Sequence, residues 1–275
     1  MTPSALRAAL LRGKRRPRNV GGGSPTQFRG DGLEFVEVRA YTDGDDPRRI
    51  DWAASARVGE LQTRVVLEDV SLTLAMIIDG SPSMQAGRTI SLYDSALEVA
   101  KVWFGAAVGE DRCMRVGTNS LLTPTRLRGR VAADAAARAV DSKSFSLDGA
   151  LRTALAALTR GSALLVVSDF WEPPALDLLV RCALRFDMTA LIARDPWYDG
   201  LPIRGFVRIR DLESGQDARL YVGSGARERY RVATQTRESQ LHEHFRAAGW
   251  RSQTLIEGQG ARSLYAAFAL AERIA

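Results

Sequence analysis

The chain has 275 residues, 45 % of them apolar and 25 % charged. That is the balance of an ordinary globular protein, long enough to bury a full core without staples. No apolar run is long enough to span a bilayer, residues 1–18 lack the continuous apolar core of a secretory signal, and the two distant cysteines, Cys113 and Cys182, make no disulfide framework. A cytoplasmic protein with reduced, buried thiols is expected. Its net charge of +6 is carried almost wholly by arginine, because only Lys14, Lys101 and Lys143 are lysines. A solvated basic surface accounts for that charge, so nucleic acid is not an expected partner.

In chain order, residues 1–30 read as a flexible basic lead. A short helix over 5–11 is followed by Lys14, Arg15, Arg16 and Arg18 and by the linker Gly21-Gly22-Gly23-Ser24-Pro25. Residues 31–70 read as a small β-rich subdomain. Phe35, Val36, Val38 and Tyr41 mark one strand and residues 61–69 a second, separated by Thr42-Asp43-Gly44-Asp45-Asp46-Pro47, which is turn chemistry. Ile50, Trp52 and Ala53 are expected to lead back toward the core.

From 71 to 275 strands and helices alternate. Strands are predicted at 72–78, 113–117, 163–167, 188–192 and 254–256, and helices at 90–108, 131–140, 147–158, 176–186, 225–247 and 263–274. A β-hairpin insertion is expected at 201–222. Such alternation predicts an α/β fold with a mostly parallel sheet and helices on both faces.

Asp79-Gly80-Ser81-Pro82-Ser83 follows the first of these strands and sets one carboxylate and two hydroxyls at alternate positions. All are hard oxygen donors of the kind magnesium takes, and ligand sites in open parallel sheets lie outside the carboxyl ends of strands. Asp169 stands in the same position after the apolar run that ends at Ser168. The loop before the helix at 147–158 offers Ser144 and Ser146 as further ligands, with helix capping the competing role for Ser146. The candidate metal ligands are therefore Asp79, Ser81, Ser83, Asp169, Ser144 and Ser146. The expected cofactor is Mg2+, or in its place Mn2+ or Ca2+.

Asp79-x-Ser81-x-Ser83-Met84 with a later strand-end Asp169 resembles the metal-ion-dependent adhesion site (MIDAS) of von Willebrand factor A domains. The resemblance implies a von Willebrand factor A-like, Rossmann-like sheet and a magnesium ion whose last ligand is an acidic residue of a protein partner. Serines stand in the intermediate loop, where that family usually has a threonine.

Upstream, Gly30-Asp31-Gly32-Leu33-Glu34-Phe35, Val38-Arg39-Ala40-Tyr41, Gly44-Asp45-Asp46, Arg49-Ile50-Asp51-Trp52, Ser55-Ala56-Arg57 and Glu68 join the Asp79 motif. Together they resemble the bacterial domain-of-unknown-function 58 family over residues 20–200, and its short soluble branch in particular. That resemblance implies a MoxR-type AAA+ ATPase as partner, in assembly or maturation of another protein. The charged groups around Tyr41 and Trp52 also read as a salt-bridged turn that serves structure.

The remaining motifs carry less. His242 and His244 lie two apart on a predicted helix, so they are expected to face different directions, toward solvent, and not to share an ion. Gly223-Ser224-Gly225 lacks the lysine of a P-loop. Trp171-Glu172-Pro173-Pro174 and Trp197-Tyr198 are expected to form rims suited to a protein interface. The expected function is a non-enzymatic, metal-ion-dependent protein-binding module. A magnesium-dependent phosphoryl hydrolase would need a general base that the motif does not offer. A structural adaptor with a vestigial metal site is the third reading.

Overall fold

In the computed structural model the described residues are 3–14, 29–43, 45, 47–67, 71–140, 145–210 and 216–268. Ser144, Asp46, Glu68, the basic cluster at 15–18 and the Gly-rich stretch lie outside them. The elements run α1 (Pro3–Lys14), β1 (Arg29–Ala40), α2 (Trp52–Val58), β2 (Gln62–Leu67), β3 (Thr73–Ile78), α3 (Leu92–Phe104), β4 (Arg112–Arg115), α4 (Gly129–Arg138), α5 (Leu147–Ala157) and β5 (Ala163–Ser168). They continue with α6 (Leu176–Ala183), β6 (Asp187–Ala193), β7 (Gly205–Arg210), β8 (Asp217–Val222), α7 (Ser224–Ala247), β9 (Arg251–Leu255) and α8 (Gly260–Ala267). Contacts divide the chain into two units, one of residues 14–71 and one of 1–13 with 72–275.

The smaller unit is an antiparallel β1–β2 pair with α2 between the strands. Helix α2, only seven residues long, was not among the predicted elements, yet both its ends are signalled. Asp51 is its N-cap and accepts from the Ala54 N–H, and Gly59 ends it at φ +79°, where a side chain would be strained. Ser55 is buried and joins helix to strand: its hydroxyl donates to the Asp51 carbonyl and accepts from the Gln62 N–H at 2.8 Å. The Asp51-Trp52-x-x-Ser55 string is thus a capped helix tied to β2, with Asp51 also paired to Arg64 at 2.9 Å. Trp52 departs from expectation. As the first residue of this short helix it points outward and is 69 % exposed.

The larger unit is built on a five-stranded, all-parallel sheet in the order β4-β3-β5-β6-β9. Two-residue periodicity sorts its side chains into two cores. Leu74, Met76, Ile78, Leu165 and Val167 pack with α1, α3, α4 and α8 on one face. Ala75, Ile77, Leu164 and Val166 pack with α5, α6 and α7 on the other. A sheet covered on both faces explains why β3 and β5 read as continuous apolar runs. The fold is α/β and Rossmann-like. β9 begins at Arg251 rather than 254 because, as an edge strand, it keeps polar residues over its first three positions.

Chain direction sets one further feature. From β3 the chain adds β4 on one side, then crosses to place β5 on the other, and continues outward through β6 and β9. The gap between β3 and β5 is therefore the topological switch point, where crevices open at the carboxyl ends of parallel strands.

The flexible lead gives way to order in its first half. Helix α1 buries Leu6 and Leu10, four residues apart on one face, in the core against α3 and α4. Arg7 pairs with Asp111, itself buried and accepting from the Leu72 N–H at 2.7 Å and the Val108 N–H at 2.8 Å. So short a helix is marginal alone and draws its stability from this docking. We therefore expect Leu10→Ala to lower stability by about 2–5 kcal/mol in urea denaturation; a lead without packing contacts would leave the midpoint unchanged.

Candidate functional site

Asp79 begins where β3 ends. Its N–H still donates to the Val167 carbonyl of β5 at 2.9 Å, so the ladder carries the residue to the edge of the sheet. Its carboxylate is buried, at 6 % exposure. One oxygen accepts from the Ser81 N–H at 2.8 Å, and the other accepts from the Ser168 hydroxyl at 2.5 Å. Burial pushes the Asp79 carboxyl above its ordinary value, the Ser168 and Ser81 hydrogen bonds oppose this, and the charge of Asp169 adds to the rise.

The Ser81 and Ser83 hydroxyls lie 3.0 Å apart, brought together by the 3-10 turn Pro82–Gln85, which Met84 anchors in the core. Asp169 closes its own tight turn by accepting from the Trp171 N–H at 3.0 Å. Phe170, between them, adopts φ +49°, an uncommon conformation for a residue without glycine's freedom. Its ring is buried edge-on against Phe245 at 4.6 Å. The Arg237 guanidinium donates to the Asp169 and Phe170 carbonyls at 3.2 and 2.8 Å and lies 4.7 Å from the Trp171 ring. Residues held in such sparsely populated conformations cluster at functional sites because surrounding contacts must enforce them. Trp171, two residues beyond Asp169, is 69 % exposed.

The third loop approaches less fully. Phe145 comes within 3.6 Å of where a side chain on Gly80 would begin, so this loop borders the Asp79 motif. Ser146 is the N-cap of α5: its hydroxyl accepts from the Gly149 N–H, and its own N–H donates to the Thr118 hydroxyl at 3.0 Å. Capping is thus its visible role. The structure brings Asp79, Ser81, Ser83 and Asp169 to the switch point and places Ser146 at a helix start. Ser168 and Thr118 were missed from the sequence. Ser168 could have been found, because the residue ending β5 adjoins Asp169; Thr118 meets Ser146 across 28 residues of chain, a contact that no local pattern encodes.

Among the described residues no group of three or more His, Cys, Asp or Glu gathers as a metal cage. The donor set at the switch point is of another kind, two carboxylates with hydroxyls. It suits a hard cation that keeps some of its waters. His242 and His244 are not solvent-facing. His242 meets the Ser252 and Thr254 hydroxyls of β9 at 2.8 and 3.1 Å, and His244 meets the Pro174 carbonyl at 3.0 Å. They satisfy different elements, as two helix positions that diverge must.

Beside the switch point the carboxyl ends of β6 and β9 border a cleft of about 420 Å³, lined by Arg88, Arg194, Asp195, Tyr198, Asp199 and Glu257 among others. Most of its charges are internally satisfied. Arg194 forks onto Glu238 and lies 4.1 Å from the Tyr198 ring. Asp195 accepts from the Trp197 N–H and the Tyr230 hydroxyl. The Glu257 carboxylate accepts from three successive backbone N–H groups, of Arg88, Thr89 and Ile90. Burial would raise its pKa, but these donors outweigh burial and hold it below the ordinary carboxylate value. Glu257 thereby pins the loop that follows the Asp79 motif to the end of β9.

A family model described as protein of unknown function DUF58 matches residues 37–241. Uncharacterized proteins of Mycobacterium tuberculosis and Mycobacterium bovis are 27 % identical over 233 residues, covering 80 % of this chain and 73 % of theirs. Among solved structures, the conserved hypothetical protein BatB from Bacteroides thetaiotaomicron matches with TM-score 0.45 at 14 % identity, over 74 % of this chain and 100 % of that one. An aerotolerance-related membrane protein from Bacteroides fragilis matches over the same shares with TM-score 0.46 at 13 % identity. In this chain no helix among the described residues is long and apolar enough to cross a membrane. With the family model spanning most of its length, the chain belongs to the DUF58 family.

Proposed function

We propose that this protein is a metal-ion-dependent protein-binding module with an adhesion-type site like that of von Willebrand factor A domains. Asp79, Ser81, Ser83 and Asp169 would hold Mg2+, and an acidic residue of a partner would complete the shell. One observation carries the reading: two strand-end carboxylates flank the switch point, and the buried one is raised by desolvation and by the charge of the other. A divalent cation relieves both costs at once. The partner we propose, on the family resemblance, is a MoxR-type AAA+ ATPase, in a cytoplasmic setting.

A binding role is favoured over catalysis by the state of the other reactive groups. Both histidines are engaged with other elements. Both thiols are buried, and burial pushes each up to about 12, far from a usable nucleophile. The exposed Trp171 beside Asp169 suits an interface.

Thermal unfolding in a magnesium titration tests the site itself. We expect the wild-type midpoint to rise with Mg2+, the gain reaching about 2.7 kcal/mol at a hundred times Kd, and Asp79→Ala to abolish it. Calorimetry with the ATPase tests the coupling: EDTA and Asp79→Ala should each weaken binding, and affinity indifferent to both would sink the proposal.

The raised Asp79 carboxyl gives a pH signature. Because the fold disfavours its ionised form, metal-free stability carries no penalty below the ordinary value of 3.8. The penalty grows as pH rises toward the raised folded value and is complete above it. Metal-free Asp79→Asn should accordingly match or exceed wild-type stability at pH 7 and lose that advantage below pH 3.8, as urea midpoints across pH would show. Magnesium affinity should fall as pH drops through the same range, since protons compete for the carboxylate.

A further inference from the structure

The β7–β8 hairpin presents a face that combines exposed aromatic rings with positive charge only partly compensated among the described residues. Phe206 and Tyr221 are register partners whose rings meet edge-on at 5.2 Å. Aromatic pairs of this kind normally serve buried surface, yet Phe206 is 89 % exposed and Tyr221 64 %. Two residues along the same face, Arg208 and Arg219 are also register partners and both exposed. Like charges directly opposite one another destabilise a strand pair. Arg208 is partly relieved by Asp217, but Arg219 makes no ion pair among the described residues. Nor do Arg204, just before β7, and Arg229 on α7, both exposed. A two-stranded hairpin is marginal by itself. One that keeps both features has its counterpart outside the described fold.

We propose that this face docks a protein partner through an acidic segment that also carries an apolar side chain. Carboxylates would meet Arg208 and Arg219, and the apolar side chain would seat on the Phe206–Tyr221 pair. Aromatic residues and arginine are the groups that dominate interface energetics. A second copy of this chain does not fit, because a two-fold contact would set arginines against arginines. A bilayer fits poorly: an interfacial anchor leads with its rings, whereas the register puts the rings at the base of the hairpin and the arginines farther out. Nucleic acid would need open ring faces for stacking, and the edge-on pair covers one of them.

Fluorescence anisotropy with the full chain tests the proposal, using a labelled short peptide of alternating Glu and Leu. The comparison probes are the same peptide with Lys for Glu, oligothymidine, and phosphatidylserine vesicles. The acidic peptide should bind, more weakly as salt rises, and be indifferent to EDTA, which separates this surface from the metal site. Phe206→Ser and Arg219→Glu should each weaken it on the order of tenfold, with the far-UV circular dichroism spectrum that of the wild type. No binding to the acidic peptide, equal binding by both variants, or tighter binding to oligothymidine or vesicles would overturn the proposal.

Discussion

A parallel sheet covered on both faces leaves its strand ends as the place where polar groups can gather, and the rest of this molecule is arranged around that constraint. Helices seal the two apolar faces of β3 and β5 so completely that the alternate residues of each strand belong to separate cores. The polar chemistry is displaced to the carboxyl edge, where β3 and β5 part company and the chain changes direction across the sheet. Asp79 and Asp169 stand on either side of that gap. Their proximity is a consequence of topology, since the two aspartates stand ninety positions apart in the chain and the sheet makes them neighbours.

The loops at this edge are held rather than left loose. Ser168 fixes one oxygen of Asp79 and accepts from the Phe170 N–H, so one hydroxyl joins the two strand ends. Arg237 reaches from α7 to the carbonyls of Asp169 and Phe170 and holds the unusual backbone there. Glu257 performs the same service for the loop after the motif through the backbone N–H groups of residues 88–90. Sites that bind through geometry need supporting contacts of this kind, because a first layer of ligands left to itself drifts from productive positions. The support comes from β9, α7 and β5, elements distant in sequence from Asp79.

Burial gives the site its electrostatic character. In water two aspartates would ionise with little mutual effect. At the dry end of β3 the ionised form of Asp79 is disfavoured, first by desolvation and then by its neighbour's charge. The β7–β8 hairpin is the opposite case, a surface where arginines and a pair of aromatic rings stay exposed. The proposed cation at the first and the proposed acidic segment at the second are both inferred from charge that the described fold does not fully balance.

Local pattern determined much of this protein. Apolar runs announced β3 and β5, helical spacing announced α3 and α5, and Asp79-x-Ser81-x-Ser83 announced a strand-end cluster of hard oxygens, because strand period, helix period and donor type are written in consecutive residues. Where competing environments decide, the sequence fell silent. Leu6 and Leu10 look like a weak amphipathic turn until a core is there to receive them. Trp52 looks like core until its helix turns it outward. Ser146 is as much ligand as cap by composition, and only the position of the Gly149 N–H shows its capping role. Ser168, Arg237 and Glu257 act at the site through contacts across 67 or more residues of chain, which no local period encodes. Residue chemistry is local and could be read directly. The approach of Asp79 to Asp169 required the sheet, and the raised Asp79 carboxyl required burial first and the neighbouring charge second, neither of which a local pattern encodes.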